Sequence, residues 1–219
     1  MSKKKKILII LIIIIAIIGL ITGIRAIKNF YILQNIFSEI EKNIQKDNYY
    51  LKTVTSYKGN TSITEIFYKD GVGKMIAENG VYTWVDGENA YMIDENTRTY
   101  YDLDIQNAIG LVSNEMFASF VPGYSKNILE RFIMVAKLNN SITTENINNK
   151  ECYKIKIKEN EANKTYWIEK STNKPLRAKI EFINSDIYEY DYELQYSITK
   201  SQDVALPDLS EYQKMENLN

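Results

Sequence analysis

The N-terminus joins a basic cluster to a long apolar run, and this pair constrains the chain more than any other feature. Lys3–Lys6 stand directly before Ile7–Ile24, eighteen residues in which Thr22 is the only polar side chain. A helix rises about 1.5 Å per residue, so the run spans about 27 Å, close to the roughly 30 Å hydrocarbon core of a bilayer. Because lysines stay on the cytoplasmic side, we predict a cytoplasmic N-terminus at residues 1–6 and a transmembrane signal anchor at residues 7–24, with the remainder outside.

A cleaved secretory signal is the alternative interpretation of this segment. Its apolar part is usually about 7–15 residues long and ends at a site of small residues. Here the run is longer, and Ile21–Ala26 contains no Ala-x-Ala pattern. A bacterial lipoprotein needs a cysteine just after the apolar segment, whereas the only cysteine is Cys152. We therefore predict an uncleaved single-pass anchor in the cell membrane.

The part of the chain after the anchor is acidic and lacks the side chain that most acid–base enzymes use. All 28 acidic residues follow Arg25, while five of the 27 basic residues are Lys3–Lys6 and Arg25, so residues 26–219 carry a formal charge of −6. Such a surface has no general attraction for nucleic acid. The absence of histidine removes the commonest general base and transition-metal ligand. We predict no enzymatic activity, no catalytic residue, no metal site and no cofactor.

Residues 25–46 are predicted to continue the anchor as an amphipathic helix that joins it to the following domain. Apolar side chains recur there at helical spacing, and most polar ones fall elsewhere. The apolar stripe consists of Ile27, Phe30, Leu33, Phe37, Ile40 and Ile44. A free stalk has no need to bury phenylalanines, so we expect this helix to pack on the domain and to hold it close to the membrane.

From Tyr49 the hydrophobic period changes to that of a strand, and turn signals follow at short intervals. Asp70-Gly71, Asn79-Gly80 and Asp86-Gly87 are two-residue hairpin signatures, because these residues tolerate the positive φ that such turns require. Strands are predicted at Leu51–Lys58, Thr61–Lys69, Lys74–Glu78, Val81–Val85, Ala90–Asp94, Arg98–Leu103, Ser141–Glu145, Glu151–Lys158, Lys164–Glu169, Leu176–Ile183 and Ile187–Thr199. The prediction is one extracytoplasmic half-barrel domain, residues 47–209, with a C-terminal tail at residues 210–219.

The later strands alternate, which indicates one wet face and one apolar face. In the last strand the tyrosines from Tyr188 to Tyr196 point one way, whereas Glu189, Asp191 and Glu193 point the other. We interpret these carboxylates as a solvated surface. Two short helices within residues 105–137 and the helix before the domain are the candidates to cover the apolar face. The predicted fold class is α+β: a transmembrane helix, then a curved antiparallel sheet, a half-barrel, wrapped around a few short helices.

Two hairpins and the end of the domain carry a resemblance to a known family. Residues 82–93 read Tyr-Thr-Trp-Val-Asp-Gly-Glu-Asn-Ala-Tyr-Met-Ile, and residues 165–177 read Thr-Tyr-Trp-Ile-Glu-Lys-Ser-Thr-Asn-Lys-Pro-Leu-Arg. Both resemble hairpins of the lipoprotein-carrier superfamily, which includes LolA-like and LolB-like carriers and the RseB-type sensor domain. Ala205–Leu209 is similar to the closing segment of related Gram-positive secreted proteins. The resemblance covers about residues 27–209, and its motifs are signatures of a fold rather than of a site.

The resemblance implies a half-barrel whose apolar concavity shelters acyl chains beneath movable helices. True carriers are soluble and shuttle between membranes, whereas this chain has a predicted anchor. We therefore expect it to present, hold or sense something near its own membrane. In the family an interior arginine latches the lid helices, and Arg98 is the residue that the resemblance offers for this role. The alternative for Arg98 is a rim residue that pairs with a nearby acid.

Methionines and aromatic residues are the candidates to line an apolar ligand cavity, because such side chains suit adaptable apolar pockets. The candidates on the sheet are Met75, Tyr82, Trp84, Tyr91 and Met92, and those in a helical lid are Met116, Phe117, Phe120, Phe132 and Met134. The alternative is that these side chains fill a closed core, which every sheet-plus-helix domain needs. Trp167 alternates with Tyr166 and Ile168 and is a candidate for the outer face.

The sequence thus predicts a membrane-anchored extracytoplasmic binding protein for an apolar ligand, which is a lipid, an acyl chain or a lipoprotein. The alternative is a closed interaction or sensor domain that acts through another membrane protein. The predicted partners are the cytoplasmic membrane, through residues 7–24, and either the apolar ligand or a membrane protein. Ligand identity and oligomeric state stay open at this point.

Overall fold

The structure, a computed structural model of the 219-residue chain, describes residues 3–44, 48–77, 80–112, 127–136 and 141–216. Three predicted lid residues, Met116, Phe117 and Phe120, lie outside these ranges, as does Asn79 of one predicted turn. The described residues form one N-terminal helix, two short helices and one large sheet.

A single helix, α1 (Lys3–Ile44), contains both the apolar run and the predicted amphipathic segment. From Ile7 to Ile24 its described isoleucine and leucine side chains are 45–65% exposed, so nothing in the described chain covers them. Among the described residues, α1 is the one helix that is long and apolar enough to cross a membrane. Such a helix is compatible with a single-pass anchor or with a signal sequence.

All the strands of the described residues belong to one sheet. They are β1 (Asn48–Tyr57), β2 (Asn60–Lys69), β3 (Val72–Ile76), β4 (Val81–Val85), β5 (Ala90–Asp94), β6 (Thr99–Asp102), β7 (Ser141–Ile147), β8 (Lys150–Lys158), β9 (Ala162–Glu169), β10 (Pro175–Phe182), β11 (Ile187–Tyr196) and β12 (Gln213–Lys214). The order across the sheet is β12-β6-β5-β4-β3-β2-β1-β11-β10-β9-β8-β7. Two helices, α2 (Ile105–Val112) and α3 (Ile128–Ala136), lie between β6 and β7 in the chain.

The sheet consists of two meanders, β1–β6 and β7–β11, which join along the β1–β11 pair. Every pairing is antiparallel except the short parallel pair of β12 with β6. The two outermost strands, β7 and β12, do not pair with each other, so the sheet is open. The predicted fold class is confirmed: an N-terminal apolar helix precedes a large, open, mostly antiparallel sheet with few helices.

Two-residue turns with positive φ connect several neighbouring strands. Asp70 and Gly71 have φ angles of 51° and 86°, which is the conformation expected for a type I′ hairpin turn. Asn148 and Asn149, with φ angles of 50° and 63°, make a turn of the same kind between β7 and β8 without a glycine. Asparagine tolerates this region because its short polar side chain can form local hydrogen bonds.

The strand register divides the sheet into an inner face, which the helices cover, and an outer face. Alternate residues of β11 from Tyr188 to Tyr196 lie on the inner face, where Leu194 is opposite Leu51 of β1. Ile36 and Phe37 of α1 are completely buried there. Their cluster contains Leu33, Tyr49, Leu51, Ile66, Ile155, Ile157, Tyr166, Ile168, Ala178 and Leu194. The second half of α1 therefore packs across the inner face and contacts strands from both meanders.

Oppositely charged side chains pair across neighbouring strands on the outer face. Arg177 of β10 contacts Asp191 of β11 at 2.6 Å, and Lys154 of β8 contacts Glu145 of β7 at 2.6 Å. Trp167 lies on this face, where its Nε1 donates a hydrogen bond of 2.8 Å to Glu145. Because these groups are partly exposed, water screens each ion pair and its contribution to stability is small. The outer face is thus the wet face that the alternation predicts in this half of the sheet.

β11 ends at Tyr196, whereas the predicted strand continues to Thr199. Ser197 has a positive φ of 60°, which turns the chain out of the strand. The Thr199 hydroxyl then donates a buried hydrogen bond of 2.7 Å to the Tyr49 carbonyl. Beyond it the chain forms two short 3₁₀ turns, Ser201–Val204 and Leu209–Glu211, before β12. This C-terminal segment, residues 200–215, packs on the outer face of β4 and β5.

Because one face of α1 is buried, we predict that shortening a side chain on that face strongly reduces the stability of the protein. Replacing Phe37 with alanine removes a fully buried ring, and we expect the free energy of unfolding to fall by about 3–5 kcal/mol. The measurement is chemical denaturation of the full chain in detergent micelles, followed by circular dichroism. Ile128→Ala is the matched control, because Ile128 is 61% exposed and its loss should change stability by less than about 0.5 kcal/mol. Equal effects of the two substitutions would show that α1 does not pack on the sheet.

Candidate functional site

The candidate cavity residues on the sheet do not share one surface. Met92 of β5 is opposite Thr83 of β4, whereas Trp84 is opposite Tyr91, so Met92 and Tyr91 project from opposite faces. Met75 of β3 is opposite Thr83 and therefore lies on the inner face with Met92. Tyr82, Trp84 and Tyr91 lie on the outer face. The two methionines therefore lie on the face that the helices cover. The three aromatic residues lie on the other face.

The outer-face aromatic residues form a closed cluster beneath the C-terminal segment. Tyr82 and Trp84 are 4% and 6% exposed, and Leu209 and Tyr212 pack against their cluster. Trp84 Nε1 donates a buried hydrogen bond of 2.8 Å to the Val204 carbonyl. These contacts correspond to the alternative interpretation, in which the aromatic side chains fill a core. The C-terminal segment covers the outer face of β4, and the sequence of β4 alone did not predict this contact.

Arg98 lies in the turn between β5 and β6, away from the described helices. Its guanidinium contacts the Glu211 carboxylate at 3.0 Å, and both side chains are more than half exposed. Nearby, Glu95 accepts hydrogen bonds from Tyr212 at 2.5 Å and from Tyr82 at 3.0 Å. These two hydrogen bonds contribute to holding the pKa of Glu95 below its ordinary value. Arg98 thus ties the C-terminal segment to the rim of the sheet, and its role as a lid latch stays a prediction.

The two short helices differ in what they contact: α2 covers part of the inner face, and α3 packs against α1. Ala108 of α2 is buried against Val85 and Ala90, and Met75 packs against the same cluster. Phe132 of α3 is 41% exposed and packs edge-on against Phe30 of α1, with ring centroids 5.7 Å apart. Met134 lies on α3, and its side chain is outside the described set.

Four tyrosines that were not among the candidate residues form a continuous stack on the inner face. The ring centroids of Tyr57 and Tyr188 are 4.3 Å apart, those of Tyr188 and Tyr190 are 6.4 Å apart, and those of Tyr190 and Tyr192 are 6.3 Å apart. The planes of each pair are within 15° of parallel, and all four side chains are half-buried. We call this set the tyrosine row. The alternation of tyrosines in β11 is the sequence signal that predicts it.

The tyrosine row becomes more buried towards the core. Burial raises the pKa of Tyr190 and, more strongly, that of Tyr192, because removal from water disfavours the phenolate. At the opposite end, Tyr57 donates a hydrogen bond of 3.0 Å to Asp186. Phe182 extends the row there, with its ring edge-on to Tyr188 at 5.9 Å. The row therefore leads from a polar rim to the apolar cluster that α1 closes.

A second feature is a cleft of about 500 Å³ between α1 and the edge of the sheet at β7 and β8. Arg25, Lys28 and Lys170 line it, and its other polar groups include Asn29. We call it the basic cleft. It involves the part of α1 that directly follows the apolar run.

The carboxylates that alternate along β11 are part of the outer face and its ion pairs. Asp191 is held by Arg177, and Glu193 accepts a hydrogen bond of 2.7 Å from Gln195. Glu189 is exposed. Within the described ranges, no group of three or more His, Cys, Asp or Glu residues is arranged to hold a metal ion.

The fold defined by this sheet is shared with solved structures of very different sequence. A crystal structure of an uncharacterized conserved protein from Thermus thermophilus matches with a TM-score of 0.51 and 11% identity, over 84% of this chain and 98% of that chain. The MucA/MucB complex structure from Pseudomonas aeruginosa matches with a TM-score of 0.45 and 12% identity, over 82% of this chain and 62% of that chain. A LolA superfamily protein from Nitrosomonas europaea matches with a TM-score of 0.33 and 10% identity, over 77% of this chain and 96% of that chain.

The match to the Thermus thermophilus protein is a likeness of fold and shows nothing further. The structural matches include MucB and a LolA superfamily protein, which are of the kinds that the hairpins resemble, and the likeness concerns the fold alone. No protein-family model matches the sequence, and no curated protein matches it either. At 10–12% identity, nothing about a ligand or a partner follows from the neighbours.

The hydrogen bond of Trp84 predicts that the C-terminal segment can be released by one substitution. In Trp84→Phe the buried Val204 carbonyl loses its donor, which costs about 1–3 kcal/mol. We expect faster proteolytic cleavage within residues 200–215, measured by limited proteolysis and mass spectrometry. Trp167→Phe is the matched control, because the same change there affects a bond to Glu145 in the other half of the sheet. Equal cleavage in both variants would contradict the role of Trp84.

Buried tyrosines predict a loss of stability at alkaline pH. Burial raises the pKa of Tyr166 and of Tyr196 from 10.0 to about 12. A pKa raised by folding stabilises the native state fully below the unfolded value, and this contribution is lost as the pH rises through the folded value. We expect the free energy of unfolding, measured by denaturant titration, to fall between pH 10 and about 12. Tyr196→Phe should reduce the slope, and an unchanged slope would contradict the assignment.

Proposed function

We propose that this chain is a membrane-anchored domain, located outside the cytoplasmic membrane, that holds an apolar ligand such as a lipid, an acyl chain or a lipoprotein. The exposed apolar surface of α1 supports the anchor, because lipid is a more favourable environment than water for an uncovered apolar helix of this length. The lysines before it favour a cytoplasmic N-terminus and an external sheet.

The single observation that carries the ligand proposal is the half-buried tyrosine row on the inner face. Its flat, aligned rings offer a strip of apolar surface that continues the core cluster under α1. An extended acyl chain could lie along the ring faces and bury them, and each ligand methylene removed from water contributes about 0.8 kcal/mol. Met75 and Met92 lie on the same face of the sheet, and methionine side chains adapt to ligands of varied shape.

Helix α3 has exposed apolar side chains that a ligand would cover. On α3 the side chains of Ile128, Leu129, Phe132 and Ile133 are 41–61% exposed. The helix contacts α1, in part through the Phe30–Phe132 ring pair. An apolar ligand that reaches α3 would cover this surface. Since α1 ties the domain to the membrane, the proposed protein receives its ligand from that membrane or from a neighbour and does not shuttle.

A closed interaction or sensor domain is the second candidate, and the packing under α1 favours it. Ile36 and Phe37 are completely buried, so this part of the inner face is filled by the protein itself. Function would then lie at an exposed element such as β7, the outermost strand at one edge of the sheet. Unpaired backbone groups on an edge strand can accept a strand from a partner. Crosslinking in native membranes would recover a stoichiometric membrane protein in this case.

The test of ligand binding uses a secreted fragment of residues 26–219, purified from the native host without detergent. All the buried contacts of α1 begin at Asn29, so this fragment retains them. We expect mass spectrometry to detect one lipid class at near-stoichiometric amounts. Tyr190→Asp places a charge in the row and should abolish recovery, whereas Tyr190→Phe should retain it.

Glu189→Gln is the matched control, because Glu189 lies on the outer face of the same strand. It should recover as much lipid as the unmodified fragment, and thermal unfolding of each variant verifies that the sheet is intact. An unmodified fragment that is folded and empty would contradict the apolar-ligand proposal and favour the second candidate.

A further inference from the structure

Among the described residues that line the basic cleft, three are positively charged and none is acidic. Arg25 and Lys28 project from α1, and neither forms an ion pair with any described carboxylate. Lys170, from the turn after β9, contacts Glu151 at 2.7 Å and is largely neutralised. The cleft therefore has two uncompensated positive charges in a domain that is acidic as a whole. Such a concentration of charge attracts an anion.

The second, independent observation is a buried amide that has no hydrogen-bond partner among the described residues. Asn29 lines the cleft and is only 6% exposed, and its side chain forms no hydrogen bond with any described residue. Native structures seldom leave a buried polar side chain without a partner, and such a group calls for an explanation. Its amide has two N–H donors, which suit an oxygen-rich anion that enters the cleft. Thr143 and Thr144 of β7 add hydroxyl groups at the opposite wall.

Part of the lining of the cleft is apolar. Ile32 of α1, Ile142 of β7 and Tyr153 of β8 line it beside the charged groups. Apolar side chains next to the charged groups reduce their contact with water, which strengthens their attraction for an anion.

The position of the cleft along α1 matches the headgroup layer of a bilayer. Arg25 directly follows the apolar run, and Asn29 lies five residues beyond Ile24, which is about 7.5 Å along a helix. The polar layer on each side of the hydrocarbon core is about 5–7.5 Å thick. If Ile7–Ile24 fills the core, Arg25, Lys28 and Asn29 lie within or at the outer boundary of this headgroup layer.

We propose that the basic cleft binds the phosphate of an anionic phospholipid headgroup from the outer leaflet. Arg25 and Lys28 neutralise the phosphate, and the Asn29 amide donates hydrogen bonds to its oxygens. The proposal rests on the membrane anchoring proposed above and is independent of any ligand on the tyrosine row. A lipid bound in this way would attach the edge of the sheet at β7 and β8 to the membrane surface.

The experiment uses the full chain reconstituted into lipid nanodiscs that contain phosphatidylcholine and phosphatidylglycerol. After transfer to a mild detergent, native mass spectrometry counts the lipids that stay bound. We expect one phosphatidylglycerol to be retained in preference to phosphatidylcholine. Asn29→Asp keeps the size of the side chain and adds a negative charge, and it should reduce retention at least tenfold, as should the double substitution Arg25→Gln with Lys28→Gln.

Lys42→Gln is the matched control, because Lys42 is an exposed cation on the same helix but away from the cleft. It should retain phosphatidylglycerol as the unmodified chain does. Membrane extraction with alkaline carbonate verifies that each variant is still inserted, so that loss of the anchor is distinguished from loss of the headgroup site. Circular dichroism verifies that the sheet remains folded.

Two outcomes would overturn the proposal. Equal retention of phosphatidylcholine and phosphatidylglycerol, unaffected by Asn29→Asp, would show that the cleft does not recognise an anionic headgroup. Displacement of phosphatidylglycerol by millimolar inorganic phosphate would show that the cleft binds a free anion and not a lipid. Neither outcome bears on whether an apolar molecule occupies the tyrosine row.

Discussion

The packing of α1 on the inner face is the contact on which the rest of the structure depends. Leu33, Ile36 and Phe37 contact strands from both meanders, so one helix face closes the core of a sheet that has two free edges. An open sheet of this size needs such a cover, because its apolar face would otherwise meet water. The same helix continues as the apolar run, so the element that completes the core is also the proposed membrane anchor.

Local chemistry made much of the fold predictable. Asp70-Gly71 predicts its turn because both residues tolerate positive φ, and the alternation of β11 predicts the two faces of the sheet. Thr199 was predicted to end the last strand, which was wrong because Ser197 already has a positive φ and turns the chain. The turn at Asn148-Asn149 has no glycine, so its sequence gives a weaker signal.

The candidate sites were harder to predict, because they depend on contacts between distant parts of the chain. Strand pairing places Trp84 and Met92 on opposite faces of the sheet. The alternation of the sequence does not show which of the two faces the helices cover. On β4 both faces are buried, since the C-terminal segment covers Tyr82 and Trp84 on the outer side. A strand that is buried on both faces lacks a clear alternation of apolar and polar residues, so its sequence does not indicate which face is the inner one. The basic cleft combines Asn29 with Lys170, and no local pattern links residues so far apart.

The unbroken length of α1 has a mechanical consequence. No loop separates the apolar run from the buried stripe at Leu33–Phe37, so the sheet has no hinge about which to turn relative to the run. Transmembrane helices tilt by about 20° on average, and the angle changes with the thickness of the bilayer. If the apolar run is the proposed anchor, a helix fixed to the sheet in this way acts as a rigid lever, and every change in its tilt would rotate the whole sheet through the same angle above the lipid surface.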